Sequence, residues 1–181
     1  MKYLIASDIH GSLYFAKLLK QRFEEEKAER LVLLGDILYH GPRNDIPKDY
    51  DTKAVAALLN GLKENILCVR GNCDAEVDQM MLSFPVLCDF GVISDGDRLI
   101  YLTHGHKYNK DNPPPVKNGD IVLSGHTHVP VHELSGGVLY ANPGSVSIPK
   151  GGSTNSYLTY SDGVFTLKKI ETGEEICSFE F

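Results

Sequence analysis

Five short polar clusters hold the residues that could do chemistry: Asp8-Ile9-His10, Gly35-Asp36, Gly71-Asn72-Cys73-Asp74, His104-Gly105-His106 and Gly125-His126-Thr127-His128. Imidazole nitrogens and carboxylate oxygens are the donors that borderline divalent transition metals take. In the D-x-H and H-x-H spacings, alternate residues of an extended segment reach neighbouring points. Asp36 has two oxygens with which to bridge two cations. Glycines beside the ligands permit tight backbone turns. A lone D-x-H arises often by chance, and a lone His near a strand end is ordinarily a solvated or core residue. Five clusters, each directly behind an apolar run, point instead to a metal centre.

The runs in front of the clusters are the elements that must position them. Tyr3 to Ala6, Leu31 to Leu34 and Ile66 to Val69 read as buried strands. Between them, Ser12 caps a helix with Leu13, Ala16, Leu19 and Phe23 at helical spacing, and Thr52 caps a second with Val55, Leu58, Leu59 and Leu62 on one face. Strand–helix–strand order predicts a parallel, right-handed α/β core. Such sheets bring ligands to the carboxyl ends of their strands, so clusters far apart in sequence can meet there. In the second half, Leu99 to Thr103, Ile121 to Leu123, Val138 to Ala141, Tyr157 to Tyr160 and Val164 to Ile170 read as further strands, separated by turns such as Ser135-Gly136-Gly137 and Ser161-Asp162-Gly163. The expected fold is α/β: two packed mixed β-sheets flanked by helices. Asn112 to Pro115 and Lys150-Gly151-Gly152 are loops.

The chain of 181 residues suits one domain spanning 1–181. Its net charge of −6 does not draw it to duplex nucleic acid or anionic lipid, so a phosphate substrate needs local positive charge, of which bound metal is one source. The apolar run after Met1 is broken by Asp8, too soon for a signal-peptide core, and no stretch approaches a membrane span. Cys68, Cys73, Cys88 and Cys177 form no CxxC pair, which speaks against a structural zinc site and for reduced thiols in a cytoplasmic protein.

The ordered set Asp8-Ile9-His10, Gly35-Asp36, Gly71-Asn72-Cys73-Asp74, His104 and Gly125-His126-Thr127-His128 resembles the pattern of the calcineurin-like metallophosphoesterases, D-x-H, G-D, G-N-H-D/E, H, G-H-x-H, over residues 3 to about 150. The stretches Gly35 to Asn44 and Asn142 to Gly152 are similar to the small bacterial phosphodiesterases of the YfcE type. The resemblance implies a phosphoric diester hydrolase with two divalent metal ions. Asp8, His10 and His128 would hold the first, Asn72, His104 and His126 the second, and Asp36 would bridge them. Manganese is the expected metal; iron, cobalt, nickel and zinc suit the same donors. The family fold is likewise two packed sheets with helices outside.

The chain departs from the family at Cys73, where most members carry a His that assists the leaving group or binds phosphate. Two divalent cations bring four positive charges; Asp8, Asp36 and a bridging hydroxide remove three, leaving one to match the single charge of a phosphodiester. A monoester, nearly doubly charged, would want the missing imidazole, so the count and the resemblance both favour a diester. Asn72, Cys73 and Asp74 are the candidate catalytic residues, Asp74 as a carboxylate orienting a ligand from behind and Cys73 either as a participant or as a small buried side chain. His40, Arg43 and His106 are candidate substrate donors, or else solvated loop residues; the planar fork of Arg43 suits a pair of phosphate oxygens best. His132 reads as a surface residue. The rival functions are a non-catalytic interaction scaffold of this fold, whose metal site would be degenerate, and a phosphomonoesterase. The expected partner is a small-molecule phosphodiester, with self-association of the chain possible through sheet edges.

Overall fold

The computed structural model describes residues 1–181, and its eleven strands and three helices alternate first and then give way to strands alone. The first sheet has the order β11-β10-β9-β1-β2-β3, built from β1 (Tyr3–Ala6), β2 (Arg30–Leu33), β3 (Ile66–Cys68), β9 (Ser156–Ser161), β10 (Val164–Lys169) and β11 (Glu175–Glu180). Strands β1, β2 and β3 run parallel, while β9 pairs antiparallel with β1, and β10 and β11 continue the sheet, each antiparallel to the strand before it. The second sheet has the order β4-β5-β6-β8-β7, from β4 (Phe90–Asp95), β5 (Arg98–Thr103), β6 (Ile121–Leu123), β7 (Val131–Ser135) and β8 (Val138–Asn142). Here β5, β6 and β8 are parallel, and β4 and β7 are antiparallel edges.

Alternation of side chains along β1 divides the interior in two. Leu4 and Ala6 point into a core shared with Phe15, Leu19 and Phe23 of helix α1 (Leu13–Glu25) and Val55 and Leu59 of helix α2 (Thr52–Asn60). Ile5 points the other way, with Val32, Ile100, Ile121, Leu139 and Phe165, into the core between the sheets. Both faces being covered, β1 and β2 read as continuous apolar runs. The outer face of the second sheet, with Tyr101, Val122 and Val138, is covered by the loop after β5; Val116 packs there and the Tyr101 hydroxyl donates to the Pro115 carbonyl at 2.9 Å.

Ser12 caps α1 as expected, its Oγ accepting from the Phe15 N–H. The cap of α2 is Asp51, which accepts from the Ala54 N–H at 3.0 Å; Thr52 is the first helical residue, because a carboxylate one position earlier already satisfies the free donor. Leu62 lies beyond the end of α2 but still packs on the core.

Glu26 ties the end of α1 to the first sheet. Its carboxylate accepts from Lys2 at 2.6 Å, Lys168 at 2.6 Å and the Tyr157 hydroxyl at 3.0 Å. Burial pushes its pKa up, but the two ammonium groups outweigh this and lower it. A depressed carboxylate pKa contributes stability above the unfolded value, near 4.3, and loses it as the pH falls through the folded value. Glu26→Gln is therefore expected to cost about 1 kcal/mol at pH 7, with the gap closing below pH 4. Urea midpoints of both proteins at the two pH values measure it.

Candidate metal centre

All five clusters stand just past strand ends: Asp8 after β1, Asp36 after β2, Asn72 after β3, His104 after β5, and His126 and His128 after β6. The chain has eight non-glycine residues at positive φ, and five are candidate ligands: Asp8 (60°), His10 (49°), Asp36 (56°), His126 (66°) and His128 (61°). Left-handed backbone costs an L-residue on the order of 1 kcal/mol or more and persists where the surroundings enforce it. Its concentration here marks loops shaped to aim side chains. Two glycines make the close approach possible. A Cβ on Gly71 would lie 2.1 Å from Asp36 Oδ1, and one on Gly125 would lie 1.9 Å from Ser7 Oγ.

The imidazoles are oriented from behind. The Nδ1 atoms of His10, His104 and His128 lie 2.8, 2.7 and 2.6 Å from the carbonyl oxygens of Tyr39, Leu34 and Ile148. A carbonyl only accepts, so each Nδ1 carries a hydrogen and each Nε2 is turned to the interior, where it can offer a lone pair to a cation or hold a proton toward a carboxylate. Those Nε2 atoms meet carboxylate oxygens and one another. His128 Nε2 lies 3.2 Å from Asp8 Oδ1 and 3.4 Å from His10 Nε2, and His10 Nε2 lies 3.6 Å from Asp8 Oδ1. A second group forms around His104 Nε2, 3.1 Å from Asn72 Oδ1 and 3.4 Å from Asp36 Oδ2; the ring centres of His104 and His126 are 5.1 Å apart. Asp36 Oδ2 is also 3.7 Å from His10 Nε2, so this one oxygen faces both groups; Oδ1 accepts the Cys73 N–H at 2.8 Å.

Asp8 Oδ1 is buried and has no hydrogen-bond partner. An unpaired carboxylate oxygen in the interior is costly unless a cation answers it. Burial pushes the Asp8 pKa up, but His10 and His128 outweigh it and hold the carboxyl ionised, well below the usual range. Burial likewise opposes charge on His104, yet Asp36 and Asp8 raise it to about 9. In the metal-free protein a proton thus stands on the lone pair that a cation would take. Burial lowers the pKa of His126, and the neighbouring His104 adds to this, leaving a neutral donor at pH 7. Acceptors converging around an orphaned buried oxygen fit divalent cations.

The other expected residues are placed in different ways. Asp74 is buried and orients backbone, not an imidazole: it accepts the N–H groups of Asp36 (2.8 Å), Ile37 (2.9 Å) and Gly71 (2.7 Å), fixing the Asp36 loop. Burial raises its pKa, and these three donors restrain the rise. Asp74→Ala would orphan all three and is expected to cost about 2–4 kcal/mol, seen as a fall of roughly 5–15 °C in the melting temperature of metal-free protein. Arg43 and Cys73 line a shallow cleft of about 50 Å³ over Asp36, His126 and His128. His106 sits at the rim of the second group, its ring 5.3 Å from His104 and 6.2 Å from His126. His40 does not line the cleft; its ring packs edge-on between Tyr39 and Tyr50. His132 is exposed and stacks on Phe179.

Several supporting residues lie outside the five clusters. Ser145 and Ser147 donate to the Asp8 carbonyl at 2.9 and 3.0 Å, and Asn142 Nδ2 donates to the Gly125 carbonyl at 2.7 Å. Lys150 adds a cation to the cleft. The only sequence signal for these was the loop from Asn142 to Gly152.

The model of the calcineurin-like phosphoesterase superfamily domain matches residues 1–161. The phosphodiesterase YfcE of Escherichia coli K12 is 46% identical over 167 residues, covering 92% of this chain and 91% of that protein. A solved structure of E. coli YfcE, described as a phosphoesterase, superposes with a TM-score of 0.96 at 40% identity and covers 99% of each chain. Vps29 of Chaetomium thermophilum, at a TM-score of 0.64 and 17% identity over 99% of this chain and 98% of its own, shares the fold alone. With its strand-end ligand loops inside the matched span, this chain belongs to the calcineurin-like phosphoesterase superfamily.

Proposed function

We propose that the chain hydrolyses a small phosphodiester with the help of two divalent cations, manganese being the expected metal, and that it works in the cytoplasm. The observation that carries this is the convergence of Asp8, His10, Asp36, His104 and His128 from separate strand ends, with a buried, unpartnered oxygen of Asp8 among them and Asn72 against His104. Asp8, His10 and His128 would hold one cation, Asn72, His104 and His126 the other, and Asp36 Oδ2 faces both. When bound, such a pair polarises phosphoryl oxygens and activates water for in-line attack. The side chains do the rest. Arg43 and Lys150 bring positive charge to the cleft, where a phosphate oxygen pair suits the guanidinium fork. His106, kept neutral by burial and the neighbouring His104, is a donor at the rim. Asp74 holds the Asp36 loop in position.

Cys73 supports a diester over a monoester. Burial and the nearby Asp36 push its thiol up to about 12, so it stays protonated at neutral pH and gives a weak acid where the family has an imidazole. The relative YfcE carries the name phosphodiesterase, in agreement. A scaffold role of the kind weighed from the sequence would call for a degenerate ligand set, and all seven positions here are competent. Metal-stripped protein refilled with one metal at a time and assayed on matched diesters and monoesters tests the proposal. Manganese should restore diester cleavage, whereas equal or better monoester cleavage would reject the substrate class.

A further inference from the structure

A second cavity opens beside the metal cleft. It holds about 360 Å³ and is lined by Tyr39, Tyr50, Val77 and Met81, among others, and by Cys73, which also lines the cleft. The two spaces are therefore neighbours on either side of Cys73. Tyr39 links the groove to the ligand loops, since its carbonyl accepts from His10 Nδ1 while the residue itself is 42% exposed and lines the groove. Val77 and Met81, from helix α3 (Glu76–Met81), are 62% and 44% exposed. With Tyr39 and Tyr50 they form one contiguous apolar lining, which is more telling than single exposed side chains, and the volume is that of a small ligand site. The larger cavity, of about 850 Å³, lies among hairpin turns at the amino ends of β5, β6 and β8 and shares no residue with the cleft.

A phosphodiester bound at the cations carries two organic groups, and each must go somewhere. We propose that the groove of Tyr39, Tyr50, Val77 and Met81 is a subsite for one ester group of the substrate, and that the group it selects is planar and aromatic, of the size of a phenyl ring or a nucleobase. Tyrosine faces stack on planar rings of any sequence or substituent, and methionine and valine complete an apolar wall. A methyl or short alkyl ester would leave the groove to water. The groove thus sets which diesters are cleaved well. This rests on the diesterase proposal for the reaction, though not for the binding.

Two measurements separate the ideas. The first compares kcat/KM for methyl 4-nitrophenyl phosphate and phenyl 4-nitrophenyl phosphate, which share a leaving group and differ only in the second ester. Wild type should prefer the phenyl ester, and Tyr39→Ala and Val77→Asp should each shrink that preference roughly five- to a hundredfold, as loss of one stacking or apolar contact does. A preference unchanged in both variants overturns the subsite. The second uses zinc-loaded protein labelled with [methyl-13C]methionine, whose three methionines give three signals. Diphenyl phosphate should move the Met81 signal and dimethyl phosphate should not. If the two ligands act alike on Met81, the groove is no subsite. If Met81 responds selectively and no diester is cleaved, the subsite stands and the hydrolytic proposal fails.

Discussion

Asp36→Asn is expected to cut diester hydrolysis by between about a hundred- and ten-thousandfold while leaving the fold intact. Asp36 Oδ2 lies 3.4 Å from His104 Nε2 and 3.7 Å from His10 Nε2, so one atom serves both ligand groups. Outer partners of a metal site are worth about ten- to a hundredfold each, and a residue weakening two sites together multiplies the losses. The amide keeps an oxygen to accept the Cys73 N–H, which in the native protein is bonded at 2.8 Å. It does remove the charge that faces His104: burial pushes the Asp36 carboxyl up, but the pull of His104 outweighs both burial and the opposing Asp8 charge and keeps it below its ordinary pKa. Metal-free Asp36→Asn should therefore melt somewhat below metal-free wild type near pH 7, and the difference should close as the pH falls through the folded pKa of Asp36. Wild type should gain stability on adding manganese, by about 2.7 kcal/mol at a hundred times the dissociation constant, and the variant much less. Kinetics and melting curves with and without metal measure both effects; a variant as active as wild type at limiting metal would rule Asp36 out as the shared ligand.

Cys73→His should raise the ratio of monoester to diester hydrolysis. The thiol, pushed up to about 12 by burial and Asp36, gives little help to a departing alkoxide. Wild type should accordingly cleave aryl diesters faster than alkyl diesters. An imidazole titrates near neutrality, can offset the second charge of a monoester and can protonate its leaving oxygen. Full recovery of general acid catalysis would be worth roughly ten- to a thousandfold in the ratio. Geometry constrains the replacement: a Cβ on Gly41 would lie only 3.1 Å from the Cys73 sulfur, so the ring has to turn away from Gly41. The comparison is kcat/KM for a matched aryl monoester and diester in both proteins at equal metal content. Should the ratio not move, Cys73 does not set the substrate class.

The parts of this protein that could be read in its sequence are those where one local stretch carries the whole signal. Strand β1 is apolar throughout because both its faces are covered, and its bounds come out as read. The ligand clusters follow such strands directly. The strands that went unread, β4, β7 and β11, are all sheet edges, with exposed residues such as Val92, Leu134 and Ile176. An edge needs no continuous apolar run, so its pattern resembles a loop. Helix α3 is six residues long and its N-cap position is Ala75, which offers no capping side chain; Asp78 reaches back to accept the Ala75 N–H instead. The braces of the site were illegible for a different reason. Ser145 and Asp8 are 137 residues apart, and nothing near either one announces the other. His40 shows the converse: its neighbours in sequence suggested a substrate donor, and the tyrosines that enclose it became visible only in three dimensions.

Titration of manganese into metal-stripped protein, with bound metal per chain and diester hydrolysis followed in the same samples, tests the central claim most directly. Seven donors in two groups joined at Asp36 predict binding of two ions per chain, with activity absent in the stripped protein and reaching its full value only as the second ion binds. Full activity in stripped protein, or saturation of activity with a single ion per chain, would contradict the two-metal account.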